Sequence, residues 1–158
     1  MPHLGMHPYG TILVVEDDPN DYSLVELACR RADIHMPLVR VDDGVQAREY
    51  LSSEGAFADR GRFPIPKIIL ADLKMPRMSG LELLAWLRSQ PTLKCIPFVV
   101  LSASAQENDI AAAYELGANS YLVKPMKLDD LTSLLRQFKI YWLELNRYPD
   151  GRPKVPQT

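Results

Sequence analysis

The sequence predicts an α/β fold built on a parallel, doubly wound β-sheet with helices on both faces. Apolar runs suited to strands alternate with segments of helical periodicity, an order typical of repeated β/α units. Three of the apolar runs also end in charged residues, at the strand exits where such sheets bind ligands. The residues at these three exits are Glu16-Asp17-Asp18, Asp72 and Lys124-Pro125.

The first half of the chain predicts two β/α units. The expected bounds are 12–15 and 38–41 for the strands and 21–31 and 44–52 for the helices. The inner stripes predicted by helical spacing are Leu24, Leu27 and Ala28, then Val45, Ala47 and Leu51. Arg40 interrupts the second strand, as expected of an edge strand with one solvated face. Glycines, prolines and charges in residues 54–66 predict a surface loop.

The second half predicts three further units. The expected bounds are 67–71, 96–101 and 119–123 for strands, 106–116 for a helix, and about 128 for the start of the last helix. Ser79 is suited to cap the helix between the third and fourth strands, with Glu82 completing a capping box, and Pro91 stops that helix. Gly117 suits the end of the next helix. Five units leave no room for a second domain.

The composition is that of an ordinary globular domain. The 158 residues are 47% hydrophobic and 24% charged, so one domain is expected. A formal net charge of −2, without a dense Lys/Arg run, argues against a nucleic-acid partner. No apolar run approaches the ~20 residues that span a bilayer, and no signal peptide is recognisable. We therefore expect a soluble, cytoplasmic protein that does not bind membranes.

The chain divides into an arm, a domain and a tail. His3 and His7 lie in the arm without further ligands nearby, which favours a solvated segment over a metal site. Cys29 and Cys95 form no CxxC motif and are expected to be reduced and half-buried. The expected divisions are a flexible arm at 1–10, the folded domain at 11–145 and a tail at 146–158.

The charged strand ends favour a site for a divalent metal and a phosphoryl group. Asp72 can attack a phosphoryl group and form an acyl phosphate. Such a transfer needs positive charge against the transferring oxygens, supplied by Mg²⁺ and by a fixed cation such as Lys124. Taken singly, these features have simpler explanations, because acidic clusters often cap helices and a Lys-Pro pair often forms a turn.

Together, these residues resemble the receiver domain of two-component response regulators, over about residues 11–146. The residues that carry the resemblance are Glu16-Asp17, Asp72 with Met75-Pro76 and Gly80, Ser102-Ala103, Tyr121 and Lys124-Pro125. The resemblance implies a flavodoxin-like (βα)5 fold with strand order 2-1-3-4-5. It also implies that a sensor histidine kinase phosphorylates Asp72 and that the protein is not an enzyme with a turned-over substrate.

The family resemblance assigns roles at the site. Asp17 and Asp72 would bind Mg²⁺ directly, together with the backbone carbonyl of Lys74, while Glu16 would act through a bound water. Lys124 and Ser102 would contact phosphoryl oxygens. Asp18 is expected to start the following loop. Lys74 and Ser104 are expected to influence the lifetime of the phosphorylated state.

The resemblance also implies a conformational switch. Ser102 would move toward the phosphoryl group and Tyr121 would rotate into the vacated space, which changes the face made by the fourth helix, fifth strand and fifth helix. The alternative for Tyr121 is a half-buried strand aromatic with its hydroxyl in water. The Lys124-Pro125 peptide is expected to be cis, as is usual in the family.

The end of the chain predicts a second contact. Leu131, Leu135, Phe138 and Trp142 recur at helical spacing, and further apolar residues widen the stripe. This ending, with the loop at 54–66, resembles regulators paired with bacterial phytochrome kinases and predicts a homodimer. The expected dimer contacts are Phe138, Tyr141, Trp142 and Leu145, with the tail contributing. The alternative is a tail folded back on its own domain.

Two other functions deserve comparison. Dehalogenase-like phosphatases share an aspartate nucleophile, Mg²⁺ and a lysine, but need a second aspartate where this chain has Lys74. A pseudo-receiver scaffold, never phosphorylated, would be expected to lack Asp72, Asp17 or Lys124, and all three are present. A phosphorylated receiver is therefore the favoured interpretation.

Overall fold

Five parallel strands form one sheet in the order β2-β1-β3-β4-β5, which confirms the predicted topology. The computed structural model describes residues 10–149, so the predicted arm before Gly10 and the tail from 150 lie outside the described residues. The strands are β1 (Ile12–Val15), β2 (Leu38–Val41), β3 (Ile68–Ala71), β4 (Phe98–Ser102) and β5 (Ser120–Val123). All five agree with the predicted strands to within two residues at either end.

The helices alternate with the strands. They are α1 (Pro19–Arg31), α2 (Gly44–Ser52), α3 (Gly80–Arg88), α4 (Glu107–Glu115) and α5 (Leu128–Phe138). A π-helical extension, Lys139–Leu145, continues from α5. Ser79 accepts the hydrogen bond of the Glu82 amide, as predicted for its cap, and Asp18 caps α1 by accepting from the Asn20 amide. Within residues 10–149, every helix is too short or too polar to cross a membrane.

The core has two halves, one on each face of the sheet. Helices α2, α3 and α4 cover one face, where Tyr50, Leu83 and Phe98 are fully buried. Helices α1 and α5 cover the other, where Leu135 and Phe138 pack against the strands. Both faces of β1, β3 and β4 are therefore dry, which explains why these strands read as nearly unbroken apolar runs.

The inner stripe of α1 differs from the predicted one. Val25, Ala28 and Cys29 are buried, whereas Leu24 is 45% exposed and Leu27 is half-buried. The short side chains of Ala28 and Cys29 let α1 approach α5 closely, which leaves the longer leucines at the edge of the contact. The prediction from apolar spacing was therefore right for Ala28 and wrong for Leu24, because Val25 is the residue that is buried.

The two cysteines occupy different environments, which corrects the expectation that both are half-buried. Cys29 lies in the core, where burial raises the pKa of its thiol to about 12. Cys95 is exposed, because it lies in the turn that precedes β4.

The loop at 54–66 lies on the surface, as predicted, but aromatic contacts hold it in place. The rings of Phe57 and Phe63 pack on Tyr50, with centroid distances of 5.3 and 6.0 Å. Arg60 donates hydrogen bonds to the carbonyls of Tyr50, Leu51 and Phe63. This loop is therefore a packed part of the domain next to the C-terminal end of α2.

The last described residues, 139–149, partly fold back on the domain. Phe138 is 4% exposed and belongs to the core, so its side chain is not available on the surface. Trp142 is half-buried against the same core, and the Tyr148 hydroxyl donates to the Trp142 carbonyl at 2.8 Å. Tyr141 and Leu145, by contrast, are 55% and 66% exposed.

The expected cis peptide before Pro125 is not found. Peptide bonds throughout residues 10–149 are trans, including the bond between Lys124 and Pro125. The trans form is the default for a peptide bond that precedes proline, by about 0.5–1 kcal/mol.

Candidate metal and phosphoryl site

The carboxyl ends of β1, β3 and β5 bring the predicted site residues together. Val15 at the end of β1 pairs with Ala71 at the end of β3, so the residues that follow each strand are neighbours. Oxygens from the Glu16, Asp17 and Asp72 carboxylates all lie within 4.8 Å of one another. The Lys124 Nζ lies 3.9 Å from the Asp72 Oδ2. The β1–β3 register accounts for the meeting of the three acids, and Lys124 reaches them from the end of β5, two strands from β3.

Asp72 has one oxygen fixed and one facing the lysine. Its amide donates to the Val15 carbonyl at 3.1 Å, which continues the β1–β3 pairing by one residue. Its Oδ1 accepts from the Leu73 amide at 2.7 Å, and its Oδ2 is the oxygen near Lys124. The side chain is 16% exposed, so a phosphoryl donor can reach it from solvent.

Glu16 is the most buried acid of the site, at 3% exposure. Its Oε1 accepts from the Asp18 amide at 3.1 Å and its Oε2 from Lys124 at 3.1 Å. Burial raises the pKa of Glu16, although these two donors partly oppose the rise. Because both oxygens already have partners, Glu16 is better placed to bind a metal through water than directly.

Lys124 is held by three carboxylates. Its Nζ lies 3.1 Å from Glu16, 3.8 Å from Asp21 and 3.9 Å from Asp72, and its amide donates to the Ser102 carbonyl at 2.7 Å. Burial alone would lower the pKa of Lys124, but the carboxylates outweigh burial and raise it. Lys124 is therefore a fixed cation beside Asp72 at neutral pH.

The loop between β3 and α3 requires a glycine at position 80. The Gly80 amide donates to the Leu73 carbonyl at 2.9 Å, and a Cβ on Gly80 would collide with the Asp72 carbonyl oxygen. This close approach explains the spacing from Asp72 to Gly80 in the sequence. Lys74 is exposed on the same loop, in a shallow cavity of about 460 Å³ that Asp17 also lines.

Ser102 and Tyr121 are joined through Ser104. The Ser102 hydroxyl oxygen is buried and accepts from the Ser104 amide at 3.1 Å. The Tyr121 hydroxyl donates to the Ser104 carbonyl at 2.8 Å, so it is not simply in water. The Ser104 hydroxyl in turn donates to Asp109 of α4 at 2.5 Å. One residue thus links the two predicted switch residues to α4.

The donor set fits a divalent metal that prefers oxygen ligands. The three clustered acids offer hard oxygens without histidine or cysteine, which favours Mg²⁺ or Mn²⁺ over zinc or copper. Asp17 is exposed beside the two more buried acids, so one side of the cluster stays open to water and to a phosphoryl group.

The sequence carries a family signature over most of its length. A profile of the response regulator receiver domain matches residues 12–136. The chain belongs to this family. Solved structures of relatives superpose on this fold, and the strand order 2-1-3-4-5 agrees with the family assignment.

Several relatives of this receiver are known. Response regulator Rcp1 of Synechocystis sp. is 37% identical over 143 residues, which cover 90% of this chain and 95% of Rcp1. The phosphorylated cyanobacterial phytochrome response regulator RcpA gives a TM-score of 0.82 at 37% identity, covering 89% of this chain and 99% of RcpA. The Mn²⁺-bound form of Rcp1 gives a TM-score of 0.79 at 37% identity, over 89% of this chain and 99% of that chain.

Sequence reasoning missed Asp21 at this receiver site. Asp21 lies in the first turn of α1, three residues after the capping Asp18, and its carboxylate faces Lys124. The signal was present, because an acid in that turn points back toward the end of the preceding strand. Sequence reasoning also missed the contact of Arg40 with this site. Arg40 lies on β2, and the carbonyls that it binds belong to Glu16 and Asp17 after β1, so the sequence around Arg40 does not reveal them.

Proposed function

We propose that this chain is a phosphoacceptor that receives a phosphoryl group on Asp72 from a sensor histidine kinase. The observation that carries the proposal is the Asp72 Oδ2, which faces the Lys124 Nζ at 3.9 Å within a cluster of three carboxylates. Two relatives support the same chemistry, because RcpA has been solved in its phosphorylated form and Rcp1 with bound Mn²⁺.

The transfer is a single displacement at phosphorus. An oxygen of Asp72 forms a bond to the phosphorus of a phosphohistidine, and the phosphorus–nitrogen bond breaks. The phosphohistidine ring reacts in its protonated form, with a proton on the nitrogen that carries no phosphorus. The nitrogen bound to phosphorus therefore leaves with the bonding electrons as neutral imidazole, and the proton stays on the second nitrogen. Lys124 holds its positive charge close to the transferring oxygens, and the Ser102 hydroxyl is free to donate to one of them because it only accepts from Ser104.

The clustered acids are proposed to hold Mg²⁺. Asp17 and Asp72 would bind the ion directly with the main-chain carbonyl of Lys74, and Glu16 would bind through water. When bound, Mg²⁺ neutralises charge on the phosphoryl oxygens. Lys74, two residues after Asp72, and Ser104, two residues after Ser102, are proposed to shield or admit the hydrolytic water and so to set the lifetime of the acyl phosphate.

The signal is proposed to leave through the face made by α4, β5 and α5. Ser102 ends β4, the strand that pairs with β3, and its hydroxyl is joined through Ser104 to Tyr121 on β5 and to Asp109 on α4. A movement of Ser102 toward a phosphoryl oxygen therefore changes contacts on both elements. Phosphorylation need only favour one of two conformers to produce this change.

The kinase partner is proposed to be a bacteriophytochrome or a similar light-sensing histidine kinase. The support is the 37% identity with the phytochrome response regulator RcpA over 89% of this chain and the 40% identity with the bacteriophytochrome response regulator RtBRR over 90% of it. We also propose a homodimer formed by Tyr141, Trp142 and Leu145 of the π-helical extension, since two of these three side chains are largely exposed.

Labelling with acetyl phosphate and Mg²⁺ tests the phosphoacceptor role. Asp72→Asn should abolish labelling on a phosphate-affinity gel, because it removes the nucleophilic oxygen. Asp33→Asn is a matched control: Asp33 is exposed and has a φ of 57°, a conformation that asparagine also tolerates. Labelling that persists in Asp72→Asn would mean that the nucleophile is a different residue.

The phosphatase alternative has a separate test. Such phosphatases need an aspartate as general acid two residues after the nucleophile, and this chain has the exposed Lys74 there instead. Hydrolysis of p-nitrophenyl phosphate should stay at the level of the Asp72→Asn variant. Turnover above that level would favour the enzyme.

A further inference from the structure

Arg40 reaches across the end of β1 and binds the main chain of two metal-site acids. It lies on the edge strand β2, paired in register with Val14 of β1. Its Nε donates to the Glu16 carbonyl at 3.1 Å, and its terminal nitrogen donates to the Asp17 carbonyl at 3.3 Å. The guanidinium thus bridges the two residues that supply acids to the site.

Two neighbours hold the guanidinium of Arg40 in place. The Asp42 Oδ1 lies 3.3 Å from a terminal nitrogen of Arg40. The Arg40 Cζ lies over the Tyr22 ring, 5.5 Å from the ring centroid. The side chain is only 25% exposed, although Arg40 is on an edge strand. β2 is an edge strand with partly exposed residues, as predicted, and the guanidinium of Arg40 is held at that edge by these two neighbours.

The Asp17 carboxylate depends on its own main chain for orientation. Within residues 10–149 this carboxylate accepts no hydrogen bond and forms no ion pair, and it is exposed. Glu16 differs, because both of its oxygens have partners. Whatever fixes the main chain at residues 16 and 17 therefore fixes where the Asp17 oxygens lie. Three hydrogen bonds fix this main chain: the Glu16 amide donates to the Val41 carbonyl, and Arg40 donates to the carbonyls of Glu16 and Asp17.

We propose that Arg40 is a positioning residue for the metal site, which holds Asp17 and Glu16 through their main-chain carbonyls. The inference rests on the proposed metal-dependent phosphorylation and names a residue that this role requires. Arg40 contacts no carboxylate of the cluster. Its planar fork binds two carbonyls at once, a geometry that a lysine ammonium cannot reproduce.

Positioning and charge predict opposite effects when the charge is removed. If Arg40 only added positive charge near the site, a neutral residue would strengthen the binding of a divalent cation. If Arg40 positions the acids, the neutral residue weakens binding, because Asp17 loses its fixed orientation. Arg40→Gln therefore separates the two roles by the sign of its effect.

Binding of Mn²⁺ to the full chain, measured by the loss of the free-ion electron paramagnetic resonance signal, tests the proposal. Arg40→Gln and Arg40→Lys should each weaken binding about tenfold, a typical effect of losing a partner that orients metal ligands. Mg²⁺ competition should show the same loss. Arg30→Gln is the matched control. It removes one positive charge, as Arg40→Gln does, but from a side chain on α1 that is 69% exposed. It should bind as wild type does.

Each outcome bears on one claim. Unchanged or tighter Mn²⁺ binding in either Arg40 variant overturns the positioning role. Circular dichroism of both variants should match wild type, and Arg40→Lys provides a charged variant should Arg40→Gln unfold. A wild-type chain that does not bind Mn²⁺, or an Asp17→Asn variant that binds normally, would instead contradict the proposed metal site. The two failures are thus distinguishable.

Discussion

At the scale of single residues, the site depends on a close approach between Asp72 and Gly80. The main chain of Asp72 carries both the nucleophilic side chain and the carbonyl that a Cβ at position 80 would strike. The Leu73 Cα would also lie 2.9 Å from that Cβ. Any side chain at position 80 must therefore displace Asp72, the proposed phosphoacceptor.

Gly80→Ala should lower the free energy of unfolding by about 1–3 kcal/mol, the usual cost of overpacking, and should also slow labelling by acetyl phosphate. Urea denaturation measures the first effect. Gly61→Ala is the control, because its Cβ would meet only the flexible side chain of Asp59 at 3.1 Å. Equal losses in the two variants would show that the contact with Asp72 is unimportant.

The cluster of acids predicts a gain in stability when one charge is removed. Glu16, Asp17 and Asp72 lie close together, and Asp17 has no cationic partner within residues 10–149. In the presence of a chelator, Asp17→Asn should relieve repulsion of about 1 kcal/mol and raise the Tm by about 2–4 °C. Added Mg²⁺ should raise the Tm of wild type but not of the variant. A lower Tm for Asp17→Asn in chelator would contradict the repulsion.

At the scale of elements, one arginine joins the end of α3 to the segments that precede β4 and β5. Arg88 at the end of α3 donates to the carbonyls of Gly117, Lys94 and Ile96 and to the side chain of Asn119. Burial lowers the pKa of its guanidinium, which is the sign of a desolvated cation. The approach of Arg88 to Gly117, whose φ is +104°, also explains why the end of α4 requires a glycine.

Arg88→Met should lower the free energy of unfolding by about 2–3 kcal/mol, because several carbonyls lose their hydrogen-bond donor at once. Arg48→Met is the control. Its guanidinium lies 5.3 Å from the centroid of the Trp86 ring, a contact whose loss should cost about 0.5–1 kcal/mol. Guanidinium chloride denaturation compares them. A smaller loss for Arg88→Met than for Arg48→Met would contradict the joining role.

At the scale of the whole molecule, the sequence predicted correctly those features that depend on residues close together in the chain. The strands and the acids at their ends are local signals, and the register of a parallel sheet brings those ends together. The contacts of Arg40 and the choice of Val25 over Leu24 depend on neighbours that are distant in sequence. The apolar periodicity of a helix shows only which residues share a face. The contact between two helices decides which of those residues are buried, and between α1 and α5 it favours the smaller ones.

The exposed apolar residues at the end of the chain carry the last prediction. Tyr141 and Leu145 leave apolar surface in water, whereas Phe138 lies in the core and Trp142 is half-buried. Burial of such a surface between two copies would favour association, because apolar area is then removed from water. A symmetric dimer would use the same patch on both subunits.

Wild type should therefore be a dimer at tens of micromolar by size-exclusion chromatography with light scattering, and Tyr141→Ser with Leu145→Ser should shift it to monomer. These residues are chosen over Phe138 and Trp142 because replacing a core side chain would also unfold the domain. Tyr114→Ser on α4 is the matched control, since Tyr114 is 50% exposed and lies outside the extension. A dimer that dissociates with Tyr114→Ser and not with the double variant would place the interface on α4. A wild type that stays monomeric with and without phosphorylation would remove the dimer altogether, and leave phosphorylation at Asp72 to act through other partners.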